Sequence, residues 1–322
     1  MMSELNIPII DISPLFIGDV AGTESVAQQI GAACRGIGFF YIVGHGISKV
    51  LLENVFAASA AFFAQPSDEK QKVLYSAQSG NRGYVPMKGE ALDPSKPSDL
   101  KEAFNIGFDI PADDDEIHAG VKFRAPNLWP KQHEFRQAML EYYTAAWGIG
   151  RALHKAFAMN LALPPTYFED KLDRPMAVLR LLHYPPRPEH VETGQLGAGA
   201  HTDYGCVTLL ATDNVGGLEV QTRDGTWLKA PPMPEALVCN IGDCLMRWTN
   251  DIYVSTPHRV VNPKGRERYS VAFFLDPNPD AVVACLPTCC GPDNPPRYPS
   301  IRGDDYLQSR LDATYAKGGL IG

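Results

Sequence analysis

Three residues in the second half of the chain have the types and the spacing of a metal site. His201 and Asp203 lie two positions apart in the β-rich run AHTDYGCVTLLAT, and strand alternation would place both on one face. His258 begins another β-branched run, HRVV, far enough along the chain for hairpins to return it to the same place. Two imidazoles and one carboxylate leave positions open for a bidentate co-substrate and dioxygen, which suits ferrous iron. A structural zinc site would instead be closed by protein ligands.

A second histidine and acid pair has the same spacing in a different setting. His190 and Glu192 lie in PPRPEHVETGQ, whose prolines and glycine leave no regular face to share. We interpret this pair as part of a loop.

An arginine ten positions after His258 is the next candidate for chemistry. Arg268 and Ser270 share one face of the strand-like run RYSVAFFL. A guanidinium in an apolar strand needs an anion, and its fork matches a carboxylate. The simpler alternative is a pair with Asp243 or Glu267. Beside a metal, however, an arginine and a serine could bind the far carboxylate of a diacid whose other end chelates the ion.

The elements around these residues predict a sandwich or barrel after Pro175. Short β-rich runs with turns between them follow in quick succession: AVLRLLHY, AHTDYGCVTLLAT, GLEVQT, WLKA, ALVCNIG, HRVV and RYSVAFFL. The chain shows neither βαβ alternation nor a glycine-rich phosphate loop, which argues against a dinucleotide-binding fold.

The first half predicts helices around a few strands. The expected elements are a helix over 24–36 capped by Thr23, a strand over 39–43, a helix from a Ser48 cap to about residue 65, another from Ser67, a strand over 103–108, a long helix over 131–163 and, at the other end of the chain, a helix over 304–315.

Composition limits the possible partners and compartment. The net charge of -8 and the lack of a Lys/Arg cluster argue against nucleic acid. We expect neither export nor a membrane, because no signal-like start and no apolar run of about 20 residues is present. The seven cysteines, including Cys285, Cys289 and Cys290, fit neither a disulfide framework nor a zinc site. A cytoplasmic protein with free thiols is expected.

Ordered motifs along nearly the whole chain resemble the isopenicillin N synthase-like iron(II) oxygenases. They are GFFYIVGHGI at 38–47, DLKEAFNIG at 99–107, RLLHYPP at 180–186, HTDYGCVTLL at 201–210, GGLEV at 216–220, NIGD at 240–243, STPHRVVN at 255–262 and RYSVAFFLDP at 268–277. Several motifs at compatible spacings are far more specific than the H-x-D pair alone.

The resemblance implies a mixed α/β fold with an all-β core: a double-stranded β-helix, or jelly roll, with flanking N-terminal helices and a C-terminal helix. In members that use 2-oxoglutarate, the keto-acid end chelates Fe(II) and the far carboxylate meets Arg268 and Ser270, with Tyr184 adding a hydrogen bond. Reaction with O2 then releases succinate and CO2 while a C–H bond of a small molecule is oxidised, by default hydroxylated.

Two departures and two alternatives accompany the resemblance. Leu182 and His183 stand where plant members often have Asn-Tyr, and Gly44 replaces a common asparagine. The metal motif alone leaves open a keto-acid-independent iron(II) oxidase of the same family, or a non-catalytic jelly-roll binding protein.

The prime substrate, the oligomeric state and the pathway are not readable from these residues. The expected regions are 1–175 covering the barrel, 176–285 as the oxygenase core, and 286–322 as a C-terminal loop and helix. By analogy with the resembled fold, the candidates for the substrate pocket are Tyr84, Phe104, Phe274 and Tyr306.

Overall fold

A computed structural model describes residues 7–76, 79–93, 95–132 and 134–315 of the chain. The first six residues of the predicted N-terminal region and the last seven of the C-terminal region lie outside this description.

Two β-sheets form the centre of the molecule. The larger has eight strands in the order β1-β2-β10-β7-β12-β5-β4-β3. These strands are β1 (Ile9–Asp11), β2 (Phe39–Val43), β3 (Gly83–Val85), β4 (Glu102–Gly107), β5 (Val178–Tyr184), β7 (Val207–Thr212), β10 (Leu237–Ile241) and β12 (Arg268–Leu275). All its pairs are antiparallel except β1 with β2.

The smaller sheet has four antiparallel strands in the order β6-β11-β8-β9. They are β6 (Ala198–His201), β8 (Leu218–Gln221), β9 (Trp227–Lys229) and β11 (His258–Val260). A separate hairpin pairs β13 (Val282–Val283) with β14 (Ile301–Arg302). The two main sheets give the jelly-roll core that the sequence predicts.

Alternation along the large sheet separates two hydrophobic cores. On β5, Leu179 and Leu181 pack into the core that also contains helical residues, whereas Leu182 and Tyr184 face the smaller sheet. The same alternation on β12 buries Val271 under the helices. Each strand of the sheet therefore supports the helices with one face and lines the interior between the sheets with the other.

The helices cover the outer face of the large sheet and the end of the barrel. They are α1 (Val20–Arg35), α2 (Lys49–Phe63), α3 (Ser67–Gln71), α4 (Asp115–His118), α5 (Phe135–Asn160), α6 (Asp243–Trp248) and α7 (Gly303–Tyr315). None of the helices in the described part of the chain has both the length and the apolar character that a membrane span needs.

The boundaries confirm most of the predicted elements and correct two. Ser48 caps α2 by accepting from the Leu51 amide, as predicted. The cap of α1 is Asp19, which accepts from the Gly22 amide, so the predicted Thr23 cap is wrong and the helix begins earlier. The run AHTDYGCVTLLAT is not one strand: it divides into β6 and β7, which belong to different sheets.

The predicted division at residue 175 falls between α5 and β5. Strands from both sides of this point share the large sheet, and the three-region division stays a prediction.

Candidate active site

The antiparallel pair of β6 and β11 brings the two candidate histidine ligands together. His201 lies directly opposite His258 in the strand register, and their ring centroids are 4.3 Å apart. Asp203 lies in the irregular segment that follows β6. Its Oδ1 lies 3.7 Å from Nε2 of His201 and 3.6 Å from Nε2 of His258. One ligand atom from each residue lies within 4.8 Å of the others, a spacing that a single metal ion can span.

Backbone carbonyls fix the orientation of both imidazoles. Nδ1 of His201 is 2.7 Å from the Gly199 carbonyl oxygen, and Nδ1 of His258 is 3.1 Å from that of Thr256. A carbonyl only accepts, so each Nδ1 carries the hydrogen and each Nε2 presents its lone pair to the centre of the triad.

Two polar side chains of the large sheet hold Asp203. Its Oδ2 accepts from the Thr208 hydroxyl at 2.6 Å and from the Asn240 amide at 2.7 Å. These bonds leave Oδ1 to face the histidines. Sequence reasoning missed both residues, although a buried asparagine in the strand motif NIGD is a polar residue that needs a partner.

Burial and mutual charge set the protonation of the triad. Burial, assisted by the neighbouring His258, lowers the pKa of His201 to about 3. Burial alone would raise the pKa of Asp203, but the nearby His258 and His201 hold it well below its usual range. For His258, burial acts to lower the pKa, yet the Asp203 carboxylate raises it overall. A neutral His201 beside a carboxylate is the form that binds a metal.

Arg268 is a buried cation at the opposite wall of the same cavity. It is 1% exposed, donates to the Ser270 hydroxyl at 3.3 Å, and its guanidinium carbon lies 4.7 Å from the centre of the Tyr184 ring. Within the described part of the chain, its Nε has no hydrogen-bond partner. Strand pairing places Tyr184 directly opposite Arg268.

The simpler explanations for Arg268 do not hold. Asp243 pairs with Arg310 at 2.8 Å, and Glu267 accepts from the Tyr269 hydroxyl. Among the described residues, Arg268 forms no ion pair. A buried guanidinium without an acid is costly unless an anionic ligand binds it. The donor set therefore fits iron(II) and a diacid co-substrate.

One cavity between the two sheets contains these groups. It is lined by the triad, by Arg268, Ser270 and Tyr184, and by Phe274 at the far end of β12. Tyr184 and Phe274 were both predicted from the sequence as site residues, and both line this cavity.

The other three pocket candidates are core residues. Tyr84 and Phe104 pair across β3 and β4 on the helix-facing side, where both pack against Phe62. Tyr306 of α7 also packs into the helix-facing core, while Leu307 and Leu311 of that helix line the cavity. The expectation that Tyr84, Phe104 and Tyr306 line the pocket is therefore corrected, because it considered aromatic character and not the face of each element.

His183, which had no assigned role, lies on the helix-facing side of β5. Its Nδ1 is 2.8 Å from the Glu102 carboxylate, and its ring stacks on Tyr269 at 4.8 Å between centroids. The loop pair of His190 and Glu192 lies outside every strand and outside the cavity lining.

Comparisons with known proteins agree with this geometry. The family model of the 2OG-Fe(II) oxygenase superfamily matches residues 175–277, and that of the non-haem dioxygenase in morphine synthesis N-terminal region matches residues 7–132. The 2-oxoglutarate-Fe(II) type oxidoreductase hxnY of Emericella nidulans is 38% identical over 316 residues, which are 96% of this chain and 90% of the relative. A 2-oxoglutarate-dependent dioxygenase of Didymella fabae is 37% identical over 97% of both chains.

Solved structures give the same result. A full-length Neurospora crassa protein in complex with alpha-KG and thymine superposes with a TM-score of 0.86 at 32% identity, covering 97% of this chain and 98% of that one. A 2OG-Fe(II) oxygenase family protein from Caulobacter crescentus gives 0.84 at 35% identity over 95% and 98%. The relatives are named for 2-oxoglutarate, which favours the keto-acid-dependent branch over the alternatives left open by the sequence. The chain belongs to the 2-oxoglutarate and iron(II)-dependent oxygenases and is an oxidoreductase of that family.

Proposed function

We propose that His201, Asp203 and His258 bind iron(II) and that the protein hydroxylates a C–H bond of a small molecule. The convergence of two oriented Nε2 atoms and one carboxylate oxygen supports the metal role. Three protein ligands on one side leave positions for a keto acid and dioxygen.

Arg268, Ser270 and Tyr184 are the proposed site for the far carboxylate of 2-oxoglutarate. The observation that carries this assignment is that the buried Arg268 guanidinium, in the same cavity as the triad, has no acidic partner among the described residues. Its planar fork can bind a carboxylate through two hydrogen bonds, and Ser270 stands beside it as a further donor.

Iron(II) with 2-oxoglutarate and O2 supplies the oxidising power, and succinate and CO2 are the by-products. The chain contributes orientation and exclusion of water. Thr208 and Asn240 hold the Asp203 carboxylate, and the apolar side chains Leu210, Leu218 and Phe274 border the space where a C–H bond would approach.

The substrate is a small molecule. Structures of the Neurospora crassa relative contain thymine or 5-formyluracil, and JOX2, 29% identical with a TM-score of 0.79, is in complex with 2OG, Fe, and JA. Such different ligands in one fold support a small-molecule substrate and leave its class to the cavity residues of this chain. The cytoplasmic location stays a prediction.

An anaerobic titration of the iron(II)-loaded protein with 2-oxoglutarate tests the assignment. A saturable visible charge-transfer band is expected, because the keto acid would chelate ferrous iron. Arg268→Met should retain iron but bind 2-oxoglutarate about 30-fold or more weakly, since the partner carboxylate loses its buried cation. His201→Ala, the matched metal variant, should lose iron. Unchanged affinity for the keto acid in Arg268→Met contradicts the co-substrate site.

A further inference from the structure

The substrate end of the cavity lies beyond the proposed 2-oxoglutarate site, along the same strands. On β5, Arg180 is four residues from Tyr184, roughly 13 Å at the usual strand rise. In the strand register Arg180 lies between Asn105 of β4 and Ala272 of β12. Phe274, two residues beyond Ala272, is on the same face and also lines the cavity.

Asn105 presents an unfilled hydrogen-bonding group in this wall. It is 1% exposed, and its Nδ2 donates to Asn81 at 3.1 Å. Its Oδ1 has no hydrogen-bond partner among the residues that the structure describes. A buried carbonyl without a donor is costly, and this one belongs to a residue of the cavity lining. A ligand N–H that reaches this oxygen would satisfy it.

Four charged side chains beside Asn105 form one compensated cluster. Arg180 is 2.6 Å from Glu90, and Lys101 is 3.5 Å from Glu90 and 2.5 Å from Asp99. Two cations thus stand with two acids. This cluster differs from Arg268, which has no acid, and it gives no net attraction to a carboxylate or an ammonium group of a substrate.

Phe274 supplies an apolar surface at this end. Among the described residues it is in no ring-to-ring contact, although many aromatic residues of the core are paired, for example Phe62 with Phe104. A flat ligand ring could stack on it.

We propose that this end of the cavity, formed by Asn105, Arg180 and Phe274, selects a prime substrate with an uncharged, planar ring in which an N–H adjoins a carbonyl: a cyclic amide or imide. The ring N–H bonds to Asn105, its carbonyl lies toward the Arg180 guanidinium, and its face packs on Phe274. The inference rests on the proposed function, because it places this ring beside the iron and 2-oxoglutarate sites.

Calorimetric titration of the zinc(II)- and 2-oxoglutarate-loaded protein, which cannot turn over, tests the proposal with three probes of similar size. 2-Pyridone has the N–H and the carbonyl, N-methyl-2-pyridone lacks the N–H, and benzoate is planar but anionic. We expect 2-pyridone to bind about tenfold or more tightly than either of the others, the effect of one buried hydrogen bond. Equal or tighter binding of benzoate, equal binding of the N-methyl compound, or no binding of 2-pyridone overturns the proposal.

Two variants of Asn105 separate recognition from general damage. Asn105→Leu should remove the preference for 2-pyridone over its N-methyl form, whereas Asn105→Asp, which keeps an acceptor oxygen, should retain it. Retained discrimination in Asn105→Leu contradicts the role of Asn105. The anaerobic charge-transfer band with 2-oxoglutarate should be unchanged in both, so that a missing band reports failure of the co-substrate assignment and not of this inference.

Discussion

At the scale of single residues, the candidate site depends on side chains that are not themselves ligands. Asp203 can offer one oxygen to the histidines because Thr208 and Asn240 occupy the other. These two donors belong to the large sheet, whereas both histidines belong to the smaller one. The orientation of the carboxylate therefore depends on the correct packing of the two sheets against each other.

Asn240→Leu should weaken iron(II) binding about 10- to 100-fold without unfolding the protein, because outer partners typically contribute that much to metal affinity. An anaerobic competition titration with a chelator measures the change, and circular dichroism checks the fold. Thr208→Val serves as the second variant and should act in the same direction. Wild-type affinity in both would mean that Asp203 needs no such support.

At the scale of elements, a buried ionic cluster ties α3 to the helix-facing side of the large sheet. The Glu102 carboxylate of β4 accepts from Lys70 of α3 at 2.7 Å, from Tyr84 of β3 at 2.5 Å and from His183 of β5 at 2.8 Å. Burial would raise the pKa of Glu102, but the three donors, His183 foremost, lower it overall. The Glu102 carboxylate therefore stabilises the fold at pH values above its ordinary pKa. This stabilisation is lost as the pH falls through the lowered pKa of the folded state.

Glu102→Gln should lower the free energy of unfolding at pH 7 by about 3 kcal/mol, since it leaves the Lys70 ammonium buried without a charge partner. Urea unfolding measures this change. The matched control is Glu69→Gln, which breaks the exposed 2.5 Å pair with Lys72 and should change stability by less than about 1 kcal/mol. Equal losses in the two variants would contradict a special role for the buried cluster.

The sequence predicts the elements of this fold better than it predicts which face of each element meets the cavity. Strand periodicity is enough to place Arg268 and Ser270 together, because both lie within the uninterrupted strand β12. The proximity of His201 and Asp203 was predicted from one continuous strand, which is incorrect. The irregular segment after β6 brings the two side chains together instead. Phe104 could not be assigned to a face without knowing that helices cover that side of β4.

At the scale of the whole molecule, the long helix α5 carries a buried histidine into the core. His154 is 1% exposed, and its Nδ1 lies 2.7 Å from the Gly150 carbonyl oxygen. Its Nε2 has no hydrogen-bond partner in the described ranges. Burial lowers its pKa from 6.5 to about 4. The unfolded chain therefore binds a proton at this position before the folded chain does, and stability falls as the pH decreases from about 6.5 towards 4.

Replacing His154 by leucine should reduce that decline. The lowered pKa of His154 corresponds to a decrease of up to about 3 kcal/mol in the free energy of unfolding across this pH interval. The leucine variant should show a correspondingly smaller decrease. Urea unfolding of both proteins at several pH values between 7 and 4 gives the two slopes. Parallel slopes would show that His154 does not contribute, whatever the absolute stability of the variant.

The alternation of the large sheet has a consequence for how such a protein can diverge. On β5, Val178, Arg180 and Leu182 line the cavity, while Leu179 and Leu181 lie between them in the helix-facing core. Substitutions at every second position can thus change what is recognised while the neighbouring positions preserve the scaffold. Insertion of one residue would exchange the two sets, so lineages with this fold should acquire new substrates by replacing residues in these strands and not by altering their length.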